Sequence, residues 1–337
     1  MIIQLSPELE KLRPKLIPSL LSGFEAIANH LWLILLPVLL DISLWMGPHL
    51  RIKTIVQPFI DSAMEFVQTT QQQIPNLDSV QTIWQVLLER FNLVFSIRTL
   101  PVGLPSLMAN WMPIQTPLGQ PVAIELSNGS ELFRWLAVFV LVGLLLSSIY
   151  YGEIARITSN NKEARLTPGN LGWLTLQLLI LTGVVLLIGL LFGLPVLTVI
   201  SGLTYLNQNL GILALFIAGM AVIWVVMPMV FSAHGIFVNH QSLRHSVITS
   251  IQIVRTTFSS TGLFVLTCVI LSQGLNMLWE VPREDSWLLL VGILGHAFIN
   301  TSIIAASFYY YRDALRFFQT LLSKSQMGQS SSPEAIK

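Results

Sequence analysis

"LFRWLAVFVLVGLLLSSIYYGEIA", residues 132–155, decides the fold class. Between Arg134 and Glu153 lie 18 residues without a charge. At ~1.5 Å of helical rise each, such a run crosses most of a hydrocarbon core about 30 Å thick. Five further runs read the same way, at 24–46, 171–195, 211–237, 258–279 and 287–310. The third can also continue through "VLTVISGL" (196–203).

Composition agrees with a bilayer setting. Hydrophobic residues make up 53% of the 337 and charged residues 10%, with a mean hydropathy of +0.69. Lys plus Arg is 18 and Asp plus Glu is 17, so no excess charge recruits nucleic acid. The single cysteine, Cys268, excludes an intramolecular disulfide and a Cys-based zinc site. The first residues mix acids with bases and show no cleavage signal, so insertion is expected to start with the first span.

The fold expected is all-α: a polytopic membrane bundle of about six transmembrane helices with a helical outer domain and cytoplasmic interfacial helices. Its parts are an interfacial helix at 1–23, a first span at 24–46, an outer helical domain at 47–131, spans two to six at 132–310 with an elbow at 242–257, and an amphipathic helix with a disordered tail at 311–337. Basic residues near span ends set the orientation. With the N-terminus inside, twelve lie inside (Lys11, Arg13, Lys15, Arg156, Lys162, Arg165, Arg244, Arg255, Arg312, Arg316, Lys324, Lys337) and six outside (Arg51, Lys53, Arg90, Arg98, Arg134, Arg283). The expected location is a bacterial cytoplasmic membrane, multi-pass, with both termini cytoplasmic.

Within 47–131, Ile52, Ile55, Val56, Phe59, Ile60, Ala63 and Val67 repeat at helical spacing. Val80, Ile83, Trp84, Leu87, Leu88 and Phe91 form a second stripe behind "DSVQ", which matches a capping box with Asp78 as N-cap and Gln81 three residues on. This predicts a helical pair packed through Phe59, Trp84 and Leu88. "TLPVGLPSLMANWMPIQTPLGQP" (99–121) is too proline-rich for a long helix or a central strand, and is expected on the membrane surface or over the pair.

On the inner side Leu243, Val247, Ile251, Val254 and Phe258 share one helical face, with Arg244, His245, Gln252 and Arg255 on the other. Leu9, Leu12, Leu16 and Leu20 beside Lys11 and Lys15, and "YYYRDALRFFQTLL" (309–322), are similar. Basic amphipathic helices anchor at the bilayer surface and favour anionic lipid, which is thereby an expected partner alongside the bilayer itself. A faint repeat links "SLLSGFEAI" (19–27) to "SVITSIQIV" (246–254), "LWMGP" to "LWEVP", and "SIYY" to "SFYY". Duplication of a helical hairpin and convergence on similar interfacial chemistry both account for it.

"SVITSIQIVRTTF" (246–258) and "SFYYYRDALRFF" (307–318), with "LPVGLPSLMA" and "TPLGQPV", resemble uncharacterised bacterial six-helix integral membrane proteins. Among these is the membrane domain found with some glycerophosphodiester phosphodiesterases. The resemblance covers mainly residues 211–318 and implies a helical membrane fold. No phosphodiesterase catalytic domain accompanies it, so it brings no catalytic residue.

Signatures of nucleotide hydrolysis, zinc proteolysis and serine hydrolysis are absent from the sequence. No catalytic, cofactor-binding or metal-binding residue is therefore nominated, and no cofactor. Chemistry is sought among polar residues inside the spans: Asp41, Arg134, Gln273, Asn276, His296 and Asn300. Asp41 stands ~7 Å from the outer end of its span. Pairing with Arg134, hydration from the interface, or handling of a proton or substrate would each explain a carboxylate there. His296 and Asn300 share a face of the last span, Gln273 and Asn276 lie on the fifth, and with Asp41 they could line an outward vestibule or simply bond between helices. His30, Asn29, His234 and Glu153 form a looser inner set. "NGS" at Asn128 reads as a turn entering the second span, and Gly189 with Gly193 as a site of close helix approach. The two functions kept are a non-enzymatic scaffold or assembly component of a membrane complex, with a protein partner at the outer loop, and a permease or translocator for a lipid or small amphiphile.

Overall fold

The computed structural model describes residues 12–69, 77–159 and 167–330. It is helical almost throughout, as the apolar runs require. Five helical stretches are long and apolar enough to cross a membrane: Gly129–Thr158, Pro168–Leu206, Gln208–Asn239, Phe258–Trp279 and Leu289–Lys324. Leu16–Ala28 and Leu31–Met46 make a sixth if that bent pair counts as one span. The chain is a polytopic α-helical membrane protein.

Several boundaries differ from expectation, each for a local reason. The run at 24–46 is two helices, α1 (Leu16–Ala28) and α2 (Leu35–Met46), separated by a 3-10 turn at Leu31–Ile34. His30 Nδ1 bonds to the carbonyl of Ala26 at 2.8 Å, a side-chain bond that ends α1 there. The expected border at residue 23 thus falls inside α1. After α2 come β1 (His49–Arg51), α3 (Lys53–Thr69), α4 (Leu77–Arg90), a 3-10 turn (Leu93–Arg98), the short α5 (Met108–Trp111), β2 (Ala123–Glu125) and α6 (Gly129–Thr158). The two strands, unforeseen, pair in parallel through His49↔Ala123, Leu50↔Ile124 and Arg51↔Glu125, joining the two ends of the long connection. Asn128 Oδ1 accepts from Glu131 N at 2.9 Å and starts α6, the turn role expected of it.

The third run continues to Leu206 as α7 (Pro168–Ile188), a π-helical turn (Gly189–Gly193) and α8 (Leu194–Leu206). Pro195 has no N–H for an α-helical bond, and the wider turn before it absorbs that loss. Gly189 and Gly193 lie in this turn with open space beyond them. Among the described residues no helix of the same chain approaches closely there. Next come α9 (Gln208–Val226), a 3-10 turn at Met227–Met229 around Pro228, α10 (Ser232–Asn239), the elbow α11 (Leu243–Thr256) and α12 (Phe258–Trp279). The last helix, α13 (Leu289–Ser330), is unbroken. Residues 323–330 are therefore helical rather than a disordered tail. The rest of the expected tail, the capping side chain of Asp78, and Leu9, Lys11, Lys162 and Arg165 lie outside the described residues.

By contacts the chain divides into two units, with α6, α12 and α13 contributing to both. One comprises the chain up to His30, Tyr151–Leu271 and the chain from Ser302; the other comprises Leu31–Tyr150 and Ser272–Thr301. The first unit is built on aromatic packing, with Phe264 stacked on Tyr310 at 4.3 Å between ring centroids and Phe231 beside them. The second has a small core of Leu50, Leu93 and Leu126 under the strand pair. Helices α3 and α4 form where the periodicity places them, but Phe59 and Trp84 are not packed. Leu88 and Ile60 are buried, whereas Phe59 is 74% exposed and Trp84 43%.

Burial on the two amphipathic helices runs opposite to a soluble protein. α1 buries Ser19, Gly23, Ala26 and Ile27 and exposes Ile17 and Leu21. α11 buries Ser246, Thr249, Ser250, Ile253 and Val254 and leaves Val247 and Ile251 only half buried. In lipid a large apolar side chain gains little by leaving the surface, and small residues let helices approach closely. The two buried sets coincide at one sequence offset: Ser19, Gly23, Ala26 and Ile27 against Ser246, Ser250, Ile253 and Val254.

Gly23 is the tightest point of α1, since a Cβ there would meet the backbone of Ser302 and Ala306 on α13. Gly23→Ala should cost ~1–3 kcal/mol through overpacking. Gly172→Ala, in α7 with open space around it, should be neutral or stabilise by up to ~1 kcal/mol. Thermal unfolding in detergent compares the two, and equal effects would contradict the close α1–α13 contact.

Candidate functional site

The site begins with the proline-rich segment. Asn92 Oδ1 accepts from Val94 N and from Leu50 N, both at 3.1 Å, fixing the 3-10 turn to β1. The chain then turns at Thr99, whose φ is +49°. Thr99 Oγ1 donates to the Val102 carbonyl at 2.9 Å and lies 3.3 Å from Ser147 Oγ on α6. Gly143 on α6 faces the carbonyl of Ile97 with no room for a Cβ, so the turn rests on bare helix. Val102, Leu104, Ser106, Leu107, Met108 and Ala109 are buried.

The first half of this segment, residues 99–109, is therefore packed against α2 and α6, while the Met112 carbonyl accepts from Arg90 Nη1 on α4. Gly143 is ~21 Å along α6 from its first residue, in the middle of the uncharged run. Non-helical backbone at such a level is tolerated only when protein satisfies its polar groups.

Asp41 supplies that satisfaction. Fully buried on α2, it accepts hydrogen bonds from Ser106 Oγ (2.5 Å), Leu107 N (3.0 Å) and Met108 N (3.1 Å). Ser106 Oγ in turn accepts from Ala109 N at 3.0 Å. The carboxylate and the serine together fill the role of an N-cap, for a short helix belonging to another part of the chain. The expected partner Arg134 is exposed and forms no ion pair with Asp41. It stands at the start of α6, while the oxygens of Asp41 are already used by residues 106–108. Interfacial hydration fails too, because Asp41 has no exposed surface.

A second polar group lies on α12 and α13. Asn300 Oδ1 accepts from Ser272 Oγ at 2.6 Å and its amide donates to the His296 carbonyl at 3.0 Å. The Trp279 ring lies against Gly295 and its carbonyl against Gly292. These contacts fix an antiparallel register that puts Asn276 opposite His296. Both are buried, and His296 Nδ1, Asn276 Oδ1 and Trp279 Nε1 have no hydrogen-bond partner among the described residues. Arg98 donates to Asn110 Oδ1 at 2.5 Å and lies within electrostatic reach of both Asp41 and His296. Gln273 is exposed on another face of α12 and drops out of the set. Of the six nominated residues, the structure groups Asn276, His296 and Asn300, ties Asp41 to the inserted loop, and leaves Arg134 and Gln273 outside.

Sequence reasoning missed Ser106, Arg98 and Glu284. A serine ahead of "LMAN" is a helix-start signal, but nothing marked that turn as buried. Glu284 is a junction: it accepts from Arg90 Nη1 (2.8 Å), Ile114 N (2.9 Å) and Gln115 N (3.3 Å), while its carbonyl accepts from Trp45 Nε1 (2.9 Å). Glu284, Arg90, Ile114 and Gln115, with Trp111 and the flanking Arg283 and Asp285, line an open cleft of about 330 Å³. The looser inner set is dispersed. His30 bonds its own helix, His234 Nε2 meets Ser307 Oγ at 2.7 Å, and Glu153 pairs with Arg156. Among the described residues no three such groups could hold a metal.

No protein-family model, curated protein or solved structure matches this chain. Its function has to be argued from these contacts.

Asp41→Ala should destabilise by ~3 kcal/mol, because it strands two buried amides and a hydroxyl, and Ser106→Ala by ~1 kcal/mol. Arg134→Gln should change stability by no more than ~0.5 kcal/mol. Unfolding midpoints in detergent test the order; a large Arg134 effect would restore the ion-pair explanation.

His49, 1% exposed on β1, gives a pH signature. Burial, aided by Arg51, holds its imidazole below the ordinary value of 6.5 against the opposing bond to the Leu44 carbonyl. The unfolded chain therefore takes up this proton first. Stability from His49 should be intact above pH 6.5 and decline as the pH falls below it. Unfolding of His49→Gln should show a shallower decline across that window.

Proposed function

We propose that this chain is a non-enzymatic component of a membrane complex in a bacterial cytoplasmic membrane, with both termini inside, and that it engages a protein partner through the pair α3–α4. The carrying observation is apolar surface outside the spans. Phe59 (74% exposed), Phe66 (68%), Ile83 (58%) and Leu87 (50%) lie on helices rooted beside span ends by the strand pair and by Arg90–Glu284. Aromatic side chains of this kind anchor protein interfaces. The inside excess of basic residues supports the orientation and anionic lipid at the cytoplasmic face. The resemblance to six-helix membrane domains fits a helical membrane component and supports no catalytic role.

A second reading, translocation of a lipid or small amphiphile, is favoured by the unpartnered His296 Nδ1 and Asn276 Oδ1 between two spans. Polar groups left unpaired there cost free energy unless something visits them.

A reporter fused after Lys337 should behave as cytoplasmic and one inserted at Gln72 as external. In mild detergent a stoichiometric protein should co-purify, and be lost with Phe59→Ser plus Trp84→Ser while the chain stays folded. Absence of such a partner, together with lipid transfer in proteoliposomes that His296→Phe abolishes, would favour translocation instead.

A further inference from the structure

The elbow helix α11 presents three faces. One is seated in its own unit by Ser246 Oγ donating to the Ser232 carbonyl (2.5 Å), Ser250 Oγ donating to the Pro228 carbonyl (2.9 Å), and Leu243 N donating to Gln177 Oε1 (2.7 Å). The next carries Val247 and Ile251 and runs on to Phe258, 55% exposed at the first residue of α12. Beside it stand Arg244 and Arg255. Eleven residues are about three helical turns, so the two guanidinium groups line up along the helix, at the edge of the apolar stripe. Both are exposed and neither has an ion pair or hydrogen bond among the described residues. No Asp or Glu occurs in α11 to neutralise them.

The matching helix α1 serves as an internal comparison. It is seated by the same buried positions, yet Ile17 stands where α11 has Arg244, Ala28 where it has Arg255, and Glu25 where it has Gln252. Seating the helix therefore does not require the arginines. We propose that Arg244 and Arg255 form a binding surface for the phosphate groups of anionic phospholipids, whose acyl chains cover Val247, Ile251 and Phe258. A free phosphate would leave that apolar stripe uncovered, whereas a phospholipid supplies both halves, and long basic side chains at the edge of an apolar face reach such headgroups by snorkelling. The proposal specifies the lipid contact placed above at the cytoplasmic face and rests on that reading for its leaflet alone.

The test titrates full-length protein in detergent with phosphatidylglycerol and, separately, phosphatidylcholine, counting bound lipids by native mass spectrometry. Wild type should prefer phosphatidylglycerol. Arg244→Gln with Arg255→Gln should lower that preference by about fivefold per arginine, roughly 25-fold together. Arg244→Lys with Arg255→Lys should largely keep it, and Arg134→Gln should leave it unchanged. Circular dichroism and gel filtration establish that each variant is folded. Equal affinity of wild type for the two lipids, an unchanged preference in the folded Gln pair, or its loss in the folded Lys pair would each overturn the proposal. So would displacement of the lipid by equimolar inorganic phosphate. Headgroup selectivity in micelles is blind to orientation, so these results stand apart from the outcome at Lys337.

Discussion

Asp41 governs the second unit because it makes an otherwise forbidden path possible. A chain that passes "LPVGLPSLM" against α2 and α6 carries several amide groups into surroundings that offer few hydrogen bonds. Prolines at 101 and 105 remove two donors. Asp41 and Ser106 take up the amides of Leu107, Met108 and Ala109. Gly143 provides the flat surface, and Thr99, turning at positive φ with its hydroxyl on Val102, closes the bend. Each feature depends on the others. Without the carboxylate the loop has unpaired amides, and without Gly143 its backbone cannot approach α6.

The first unit solves the same problem of lipid as solvent in another way. Helices α1 and α11 bury serine, glycine and alanine together with Ile27, Ile253 and Val254, while Ile17, Leu21 and Ile248 stay exposed. Ser246 and Ser250 replace the hydrophobic contact of a soluble helix with hydrogen bonds to the carbonyls of Ser232 and Pro228. These bonds are short-range and directional. They fix which face of α11 is buried more firmly than an apolar stripe in lipid could, and that placement leaves Arg244 and Arg255 at the surface.

How much of this was legible in the sequence follows from the range of each signal. Five of the spans were plain because about twenty uncharged residues admit few alternatives; the run at 24–46, which holds Glu25 and Asp41, is a bent pair of helices. The two helices of 47–131 were plain for the same periodic reason. What failed was the choice of face. On α3 the periodicity identified an apolar stripe and took Phe59 as packed, whereas it is 74% exposed; on α11 the stripe expected at the bilayer surface keeps Val247 and Ile251 half buried, while Val254 is buried in the protein. The pairing of Asp41 failed differently. Charge complementarity singled out Arg134, whereas the actual partners are two backbone amides and a serine more than sixty residues away in a segment whose prolines spoke only of irregularity. Backbone donors are invisible in a sequence, since every residue but proline has one. His296, Asn276 and Asn300 were found because helical spacing places polar residues on a common face. Gln273 was admitted with them only because its angular position, three residues from Asn276, was not weighed against the register set by Ser272 and Trp279.

One route connects the exposed pair α3–α4 to the buried loop. Arg90 ends α4 and holds Glu284; Glu284 holds the amides of Ile114 and Gln115 just beyond α5; and its carbonyl holds Trp45, four residues along α2 from Asp41. The side chains of Arg90 and Glu284 are only 32% and 14% exposed, so this ion pair is less screened than a surface pair. Contacts in series are not by themselves coupling, which needs an element with two arrangements that both ends can bias.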